Sequence, residues 1–129
     1  MNRIDNDFPN ITISQARYLD AIFSISKEKE CRAKDLVSCL SVSKPAVSIE
    51  LQRLKNNNVI TISEEKVIRI TSYGHEIINY YRNRFKIIFD LLVKLGVAEE
   101  IAENDANQIK YRISDESILI LGKALLHLE

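Results

Sequence analysis

The sequence predicts a mostly α-helical fold with one small β-hairpin. The 129 residues include only three glycines and two prolines, and Leu, Ile, Lys and Glu, which favour helix, are frequent. Apolar residues recur at helical spacing along most of the chain, and two short β-branched runs lie near its middle. Apolar residues make up 46% of the chain, so it is expected to fold as one compact domain or as two small lobes.

The first predicted helix spans 13–28 and follows a loose arm at 1–11. Thr12 and Gln15 fit a capping box, in which the two side chains cover the first free amides of a helix. A second, short helix is predicted over 33–40.

The third helix is predicted to begin after Ser43, a good N-cap, and to end at Asn56. Pro45 falls in its first turn, where the missing N–H costs nothing. The β-branched runs 59–62 and 67–70 then predict a hairpin with a four-residue tip. Two helices joined by a tight turn and followed by a hairpin form a winged helix-turn-helix, which lays one helix in the DNA major groove.

The rest of the chain predicts three helices, over 73–95, 98–112 and 115–128, with Ser72 and Ser114 as caps. The long helix, which stops at Gly96, carries two apolar faces, more than one small lobe needs to cover. One face is therefore expected to meet a partner subunit, and the alternative is a helix that is central in its own fold. These patterns predict a DNA-binding domain at 1–72 and a helical dimerisation domain at 73–129.

The net charge is zero, but its distribution is uneven. Residues 31–95 hold eleven Lys and Arg against six Asp and Glu, whereas residues 96–129 hold three against seven. Phosphate binding depends on the local field, so the basic middle supports a DNA-facing lobe.

Several classes of protein are not expected. No apolar run approaches the ~20 residues of a membrane span, and the polar start lacks a secretory signal, so a cytoplasmic protein is expected. No Gly-rich phosphate loop, HExxH or GxSxG motif occurs, which argues against an enzyme. Cys31 and Cys39 have no CxxC spacing and are expected to be reduced thiols; a redox switch is the alternative.

The chain resembles the diphtheria-toxin-repressor family of metal-dependent transcription regulators, in particular its short manganese-sensing members. The resemblance covers roughly 12–129 and rests on the order and spacing of five segments: ARYLDAIFSI, RAKDLVSCLSVSKPAVSIELQRL, ITSYG, KLGV and RISDES. It implies a homodimeric regulator, by family expectation a repressor, in which manganese or iron favours the DNA-competent arrangement.

The metal site that the resemblance implies is degenerate. At the positions where the family places its ligands, this chain has Arg17, Asp20, Phe85, Asn107, Lys110 and Tyr111. Only Asp20 suits a cation, because Lys and Arg are themselves cations and Phe offers no lone pair. No metal or other cofactor is therefore predicted, and the regulator is expected to be metal-independent.

Three alternatives to simple loss of the metal remain open. Lys110 or Arg17 supplies a fixed positive charge that pairs with Asp20, or a new effector uses the remodelled pocket. A metal at a non-standard site is the third, although His75 and His127 are expected to be surface residues. The acidic group Glu99, Glu100, Glu103 and Asp105 is expected to be a solvated face near a helix N-terminus.

The predicted DNA contacts follow from the winged helix and the resemblance. The start of the third helix faces base edges, and nearby cations grip phosphates. Its side chains are weakly polar, so DNA shape is expected to contribute to recognition. The predicted residues are Arg32, Lys34, Ser43, Lys44, Pro45, Ala46, Ser48, Ile49, Gln52, Arg53, Lys55 and Lys66.

The expected partner is double-stranded DNA with a pseudo-palindromic operator, its half-sites about one helical turn (~10 base pairs) or a multiple apart. The alternative from another class is a winged-helix protein-interaction module, which would lack basic surroundings at the third helix. A multiple-antibiotic-resistance-type regulator shares the winged helix, but usually has a longer wing and dimerises through helices at both chain ends.

Overall fold

A computed structural model of the chain describes Phe8 and residues 11–128. Within this part the prediction of a mostly helical fold with one hairpin is confirmed. The elements, in order, are α1 (Ile13–Ser26), α2 (Ala33–Leu40), α3 (Lys44–Asn56), β1 (Ile60–Ile62), β2 (Ile68–Ile70), α4 (Ser72–Lys94), α5 (Glu99–Ile109) and α6 (Asp115–His127). The predicted arm at 1–11 lies outside the described residues except for Phe8 and Ile11, and Ile11 is buried.

The chain forms two compact units, and the boundary between them falls within α4, after Ile78. The first unit holds α1, α2, α3, the hairpin and the first turns of α4. The second unit holds the remainder of α4 with α5 and α6. The predicted division after residue 72 separates two functions, DNA binding and dimerisation, and not two groups of contacting residues. It stays a prediction.

The core of the first unit is formed by apolar side chains from every one of its elements. α1 packs against α2 and β2, and α3 packs against α2 and β1. The fully buried side chains include Leu19, Ile22, Leu36, Val47, Leu54, Ile60, Ile68 and Ile77. The helical spacing of α2 predicts that Ala33 points inward with Leu36, but Ala33, the first residue of the helix, is exposed.

The capping box of α1 is confirmed. The N–H of Gln15 donates to Thr12 Oγ1, and the N–H of Thr12 donates to Gln15 Oε1, both at 3.1 Å. The buried Gln15 also donates through Nε2 to Glu50 Oε1 at 3.1 Å. The cap therefore ties the start of α1 to the middle of α3.

The tight turn before α3 depends on two serines. Ser41 takes a left-handed conformation (φ 55, ψ 47), which reverses the chain after α2. Ser43 caps α3 as predicted, because its Oγ accepts from the N–H of Ala46 at 3.2 Å. α3 ends at Asn56, as predicted, and Asn58 is again left-handed, at φ 64.

The wing is an antiparallel pair with Ile60 opposite Ile70 and Ile62 opposite Ile68. Each strand begins one residue later than predicted, because Val59 and Val67 are buried outside the ladder. The carbonyl of Cys31 accepts from the N–H of Ile68 at 2.8 Å. The wing is thereby attached to the segment that leads into α2.

The predicted cap of α4 is wrong by one residue. Ser72 is the first residue of the helix, and Thr71 caps it, because Thr71 Oγ1 accepts from the N–H of Gly74 at 3.0 Å. The Thr71 hydroxyl also donates to the Asn58 carbonyl at 2.7 Å, so it joins α4 to the end of α3. The predicted stop at Gly96 is confirmed, and Gly96 has φ 109.

The second unit has a smaller core centred on Ile88, Ala106 and Ile118. Half-buried apolar side chains surround it: Phe85, Ile87, Phe89, Leu92 and Ile113. Ala102 and Ala106 are fully buried, and such small side chains allow close approach of α5 to its neighbours. Among the described helices, none is long and apolar enough to cross a membrane.

Replacement of Gly74 by alanine is expected to destabilise the protein by about 1–3 kcal/mol. A Cβ at this position would lie 2.3 Å from the Val59 carbonyl oxygen and 2.7 Å from Ile70 Cγ2, so backbone would have to move. Urea denaturation measures the free energy of unfolding.

Gly122→Ala is the matched control, because its Cβ would meet only the end of the Ile87 side chain, at 3.4 Å. This change is expected to be neutral or to stabilise α6 by up to about 1 kcal/mol. Equal losses for the two variants would show that the close approach at Gly74 is unimportant.

Candidate DNA-binding surface and the degenerate metal positions

The exposed side of α3 presents most of the predicted DNA contacts. Its buried stripe is Val47, Leu51 and Leu54, as the spacing predicts. The remaining side chains of the helix therefore point away from the core. The predicted residues that are exposed on or beside α3 are Ser43, Lys44, Pro45, Ala46, Ser48, Ile49, Gln52, Arg53 and Lys55.

One cleft of about 350 Å³ brings five of the predicted residues together. It lies between α2, the first three turns of α3 and the wing. Lys34, Lys44 and Lys66 contribute from the three elements, and Ser48 and Gln52 add polar groups. The other predicted residues of α3, among them Ala46 and Ile49, do not line this cleft.

Two polar side chains of this surface already have partners. The Ser43 hydroxyl oxygen accepts from Ala46, but its proton still permits donation to a phosphate. Gln52 Nε2 donates to Asn56 Oδ1 at 3.2 Å, one turn along the exposed face. The Gln52 amide is thereby oriented along the helix rather than left to rotate.

Arg32, predicted as a DNA contact, also binds the wing through its side chain. Its Nε donates to the Glu65 carbonyl at 3.4 Å, and its Nη2 lies 3.3 Å from Glu30 Oε1. The N–H of Arg32 donates to Asp35 Oδ2 at 2.9 Å. The hydrogen bond from Lys29 and, to a smaller extent, this one from Arg32 lower the pKa of Asp35. Arg32 thus fixes the wing tip as well as adding charge beside it.

In the second unit, three of the six predicted metal positions, Phe85, Asn107 and Tyr111, lie around the ammonium group of a fourth, Lys110. Lys110 is buried, and its Nζ lies 5.9 Å from the Phe85 ring centre and 4.9 Å from that of Tyr111. It also lies 3.4 Å from Asn107 Oδ1. A cation held by two aromatic faces and an amide oxygen is favourable where water is excluded.

The predicted helix over 98–112 is too long, and this changes how Lys110 and Tyr111 are held. α5 ends at Ile109, and Lys110 is its C-cap. The Lys110 carbonyl accepts from Arg84 Nε at 3.0 Å, so a side chain of α4 covers the end of α5. The two residues therefore lie in a turn that follows the helix rather than on its face.

A network of side chains that was not predicted from the sequence supports this turn. The Arg84 guanidinium forms an ion pair with Asp115, and Tyr80 donates its hydroxyl proton to Asp115 Oδ1 at 2.5 Å. Burial, followed by this hydrogen bond, raises the pKa of Tyr80. Arg84 and Asp115 are separated by 31 residues, so no local pattern indicated the pair.

The remaining candidate positions lie elsewhere. Arg17 is exposed and Asp20 is half-buried on α1, in the first unit. His75 and His127 are exposed, as expected, and so are Glu99, Glu100 and Glu103, whereas Asp105 is half-buried. In the part of the chain that the structure describes, no three His, Cys, Asp or Glu side chains are grouped so that they could hold a metal ion.

Comparison with known proteins decides the family. No protein-family model matches the chain. Over 102 residues the chain is 30% identical to the transcriptional regulator MntR of Escherichia coli O6:H1, across 78% of this chain and 66% of that protein. The chain belongs to the DtxR/MntR family of metal-dependent transcriptional regulators. Because this is a family of regulators, the prediction that the chain is not an enzyme is confirmed.

Two further proteins are similar to the chain over most of its length. The chain is 26% identical to the HTH-type transcriptional regulator MntR of Bacillus subtilis over 119 residues, which cover 92% of this chain and 84% of that protein. In fold it is similar to a solved manganese-dependent transcriptional repressor in complex with manganese, with a TM-score of 0.75 and 18% identity. That alignment covers 86% of this chain and 52% of the repressor, so the chain spans about half of its length.

The candidate positions of this family member do not fit a manganese or iron ion. Carboxylate and carbonyl oxygens suit divalent manganese and imidazole suits iron, whereas Arg17, Phe85 and Lys110 provide two cations and an apolar ring. Asp20, Asn107 and Tyr111 offer oxygen atoms, but Lys110 Nζ already lies beside the Asn107 oxygen. The chemistry of the donor set therefore differs from that of a metal site.

The stability of the chain is expected to fall between pH 9 and pH 11 through Cys31. Burial, followed by the negative charges of Asp35 and Cys39, raises the pKa of this thiol from 9.0 to about 11. In that interval the unfolded chain has lost a proton that the folded chain keeps, so the free energy of unfolding decreases as pH rises. Below pH 9 the contribution is fully present.

Urea midpoints measured at several pH values for the wild type and for Cys31→Ala test this expectation. The variant should show the shallower decline, because other titrating groups are shared by both proteins. Parallel declines would contradict the assignment of the raised pKa to Cys31.

Proposed function

We propose that the chain is a homodimeric, sequence-specific DNA-binding transcription regulator, a repressor, that acts in the cytoplasm without a bound manganese or iron ion. The observation that carries the DNA-binding part is the exposed side of α3, flanked on both sides by cations. The family membership supports the regulatory role. The chain matches only part of the length of the related proteins. The activity of the whole protein is therefore also a proposal.

Charge around α3 supports DNA over a protein partner. Lys34, Lys44, Arg53, Lys55 and Lys66 are all exposed around this helix or on the wing. The one carboxylate within α3, Glu50, accepts from Gln15 on the side that faces α1. These five cations outnumber the exposed Glu64 and Glu65 of the wing tip, so the local charge favours phosphate.

Exposed apolar side chains in the second unit support a dimer. Leu119, Ile120 and Leu126 on α6 are 60%, 59% and 72% exposed. Leu119 and Leu126 are two turns apart, so they lie on the same side of the helix. Both line a groove of about 390 Å³ between α4 and α6. A monomer seldom leaves such side chains in water without a partner surface.

The donor set supports metal independence. Lys110 places a permanent positive charge among Phe85, Asn107 and Tyr111, where the family resemblance implies metal ligands. A second cation beside a buried ammonium group would be repelled. The proposed pairing of this charge with Asp20 stays a prediction, and so does a new effector in its place.

Selection of bound DNA from a random pool, in parallel with a chelator and with added manganese, tests the proposal. We expect the same pseudo-palindromic sequence to be enriched in both arms, with half-sites one turn (~10 base pairs) or a multiple apart. Enrichment only with manganese would overturn metal independence. No enrichment in either arm would overturn the DNA-binding role and favour the protein-interaction module.

Replacement of Lys44 by alanine is expected to lower the salt dependence of DNA binding. The ammonium group of Lys44 is exposed at the start of α3, so its loss should remove one phosphate contact and reduce the slope of log K against log salt by about one. Fluorescence anisotropy at several salt concentrations, with the selected DNA, measures the slope. The preferred sequence should not change.

Lys94→Ala provides the control, because Lys94 is an exposed lysine in the last turn of α4, distant in sequence from the reading surface. It should leave both the slope and the affinity unchanged. A Lys44→Ala slope equal to that of the wild type would remove Lys44 from the set of phosphate contacts.

A further inference from the structure

The cleft beside α3 has an apolar interior that DNA recognition does not explain. Its lining includes the half-buried Val37 of α2 and Ile62 of the wing, backed by the buried Val47 and Leu51 of α3 and by Ile68, the cross-strand partner of Ile62. Its volume of about 350 Å³ lies in the range of small-molecule sites. The sugar–phosphate backbone of DNA is polar and charged, so it gains nothing from an apolar floor.

The rim of the cleft carries charge of one sign. Lys34, Lys44 and Lys66 line it from three different elements, and no Asp or Glu is among its described lining residues. The acidic residues of the wing tip, Glu64 and Glu65, are exposed and lie outside the lining. Ser48 and Gln52 add a hydroxyl and an amide on the α3 side. An apolar interior below three ammonium groups is complementary to an apolar molecule with one anionic end.

The three walls of the cleft are held in place independently of any ligand. Val47, Leu51 and Ile68 are all buried in the core of the first unit. The wing is attached to the start of α2 through the Cys31 carbonyl and through Arg32, which binds the Glu65 carbonyl. A preformed cleft costs a ligand little reorganisation on binding.

We propose that this cleft binds a free, single-chain apolar carboxylate, with its tail on the apolar floor and its carboxylate among Lys34, Lys44 and Lys66. The same lysines are predicted to grip phosphates, so the occupied protein has fewer cations available for DNA. The ligand therefore acts as an inducer that releases the operator. This regulatory consequence rests on the proposed function, whereas the binding site itself does not.

Direct binding is measured first, on the full chain and without DNA. Decanoate, kept below its critical micelle concentration, is titrated by isothermal calorimetry and followed by amide chemical shifts. We expect one saturable site per chain and shifts confined to α2, α3 and the wing. Decylammonium, which has the same tail and the opposite charge, should not bind. Binding of both compounds, no saturation, or shifts confined to α5 and α6 would overturn the proposal.

Two pairs of variants test the tail and the headgroup separately. Val37→Phe fills the interior and should weaken decanoate binding at least about tenfold, while Val97→Phe, which lies outside the cleft, should not. Lys66→Gln should weaken it about threefold, and Lys94→Gln should not. Ala33→Leu, at an exposed lining position, repeats the filling test if Val37→Phe proves unstable in a thermal melt. Equal effects within either pair would count against the site.

The final arm adds the selected DNA. Decanoate should release the operator from the wild type, and Val37→Phe should keep its DNA affinity and lose this response. Binding of decanoate by a chain that selects no DNA would overturn the proposed function and leave the carboxylate site intact. Selection of DNA by a chain that does not bind decanoate would overturn the carboxylate site and leave the proposed function intact.

Discussion

The reading surface depends on the burial of one stripe of α3. Val47, Leu51 and Leu54 are spaced so that they lie on one side of the helix and enter the core of the first unit. Their burial fixes the rotation of α3 about its axis, which in turn determines which residues face outward. The Ser43 cap fixes where the helix begins, and Gln15 fixes its side against α1. A rotation of α3 by one residue would exchange the reading face for a buried one.

The second unit differs from the first because it buries two positively charged side chains, Arg84 and Lys110. Arg84 has two oxygen partners, the Asp115 carboxylate and the Lys110 carbonyl, so its burial is compensated. Lys110 itself contacts two aromatic rings and an amide. In the related regulators the resemblance implies a metal ion among these positions. This chain instead has a side-chain cation there, whose presence does not depend on the composition of the medium.

Local signals in the sequence predicted most of the fold, and long-range contacts account for what they missed. The helix-turn-helix, the wing and the Ser43 and Ser114 caps follow from spacing and capping preferences within a few residues. Thr71 was overlooked in favour of its neighbour because both are good caps, and only the contact of Thr71 with the Asn58 carbonyl distinguishes them. The end of α5 depends on Arg84, which is distant in sequence. The individual DNA contacts were inferred from the winged helix and from position within the family, and they stay predictions.

The close approach at Gly74 also determines how the first turn of α4 packs against the base of the wing. A Cβ on Gly74 would lie 2.3 Å from the Val59 carbonyl oxygen and 2.7 Å from Ile70 Cγ2. The Thr71 hydroxyl donates to the nearby Asn58 carbonyl. The first turn of α4 therefore packs directly against the base of the wing. α4 is 23 residues long and continues from the first unit into the second. The start of this long helix is therefore fixed to the end of α3 and the base of the wing.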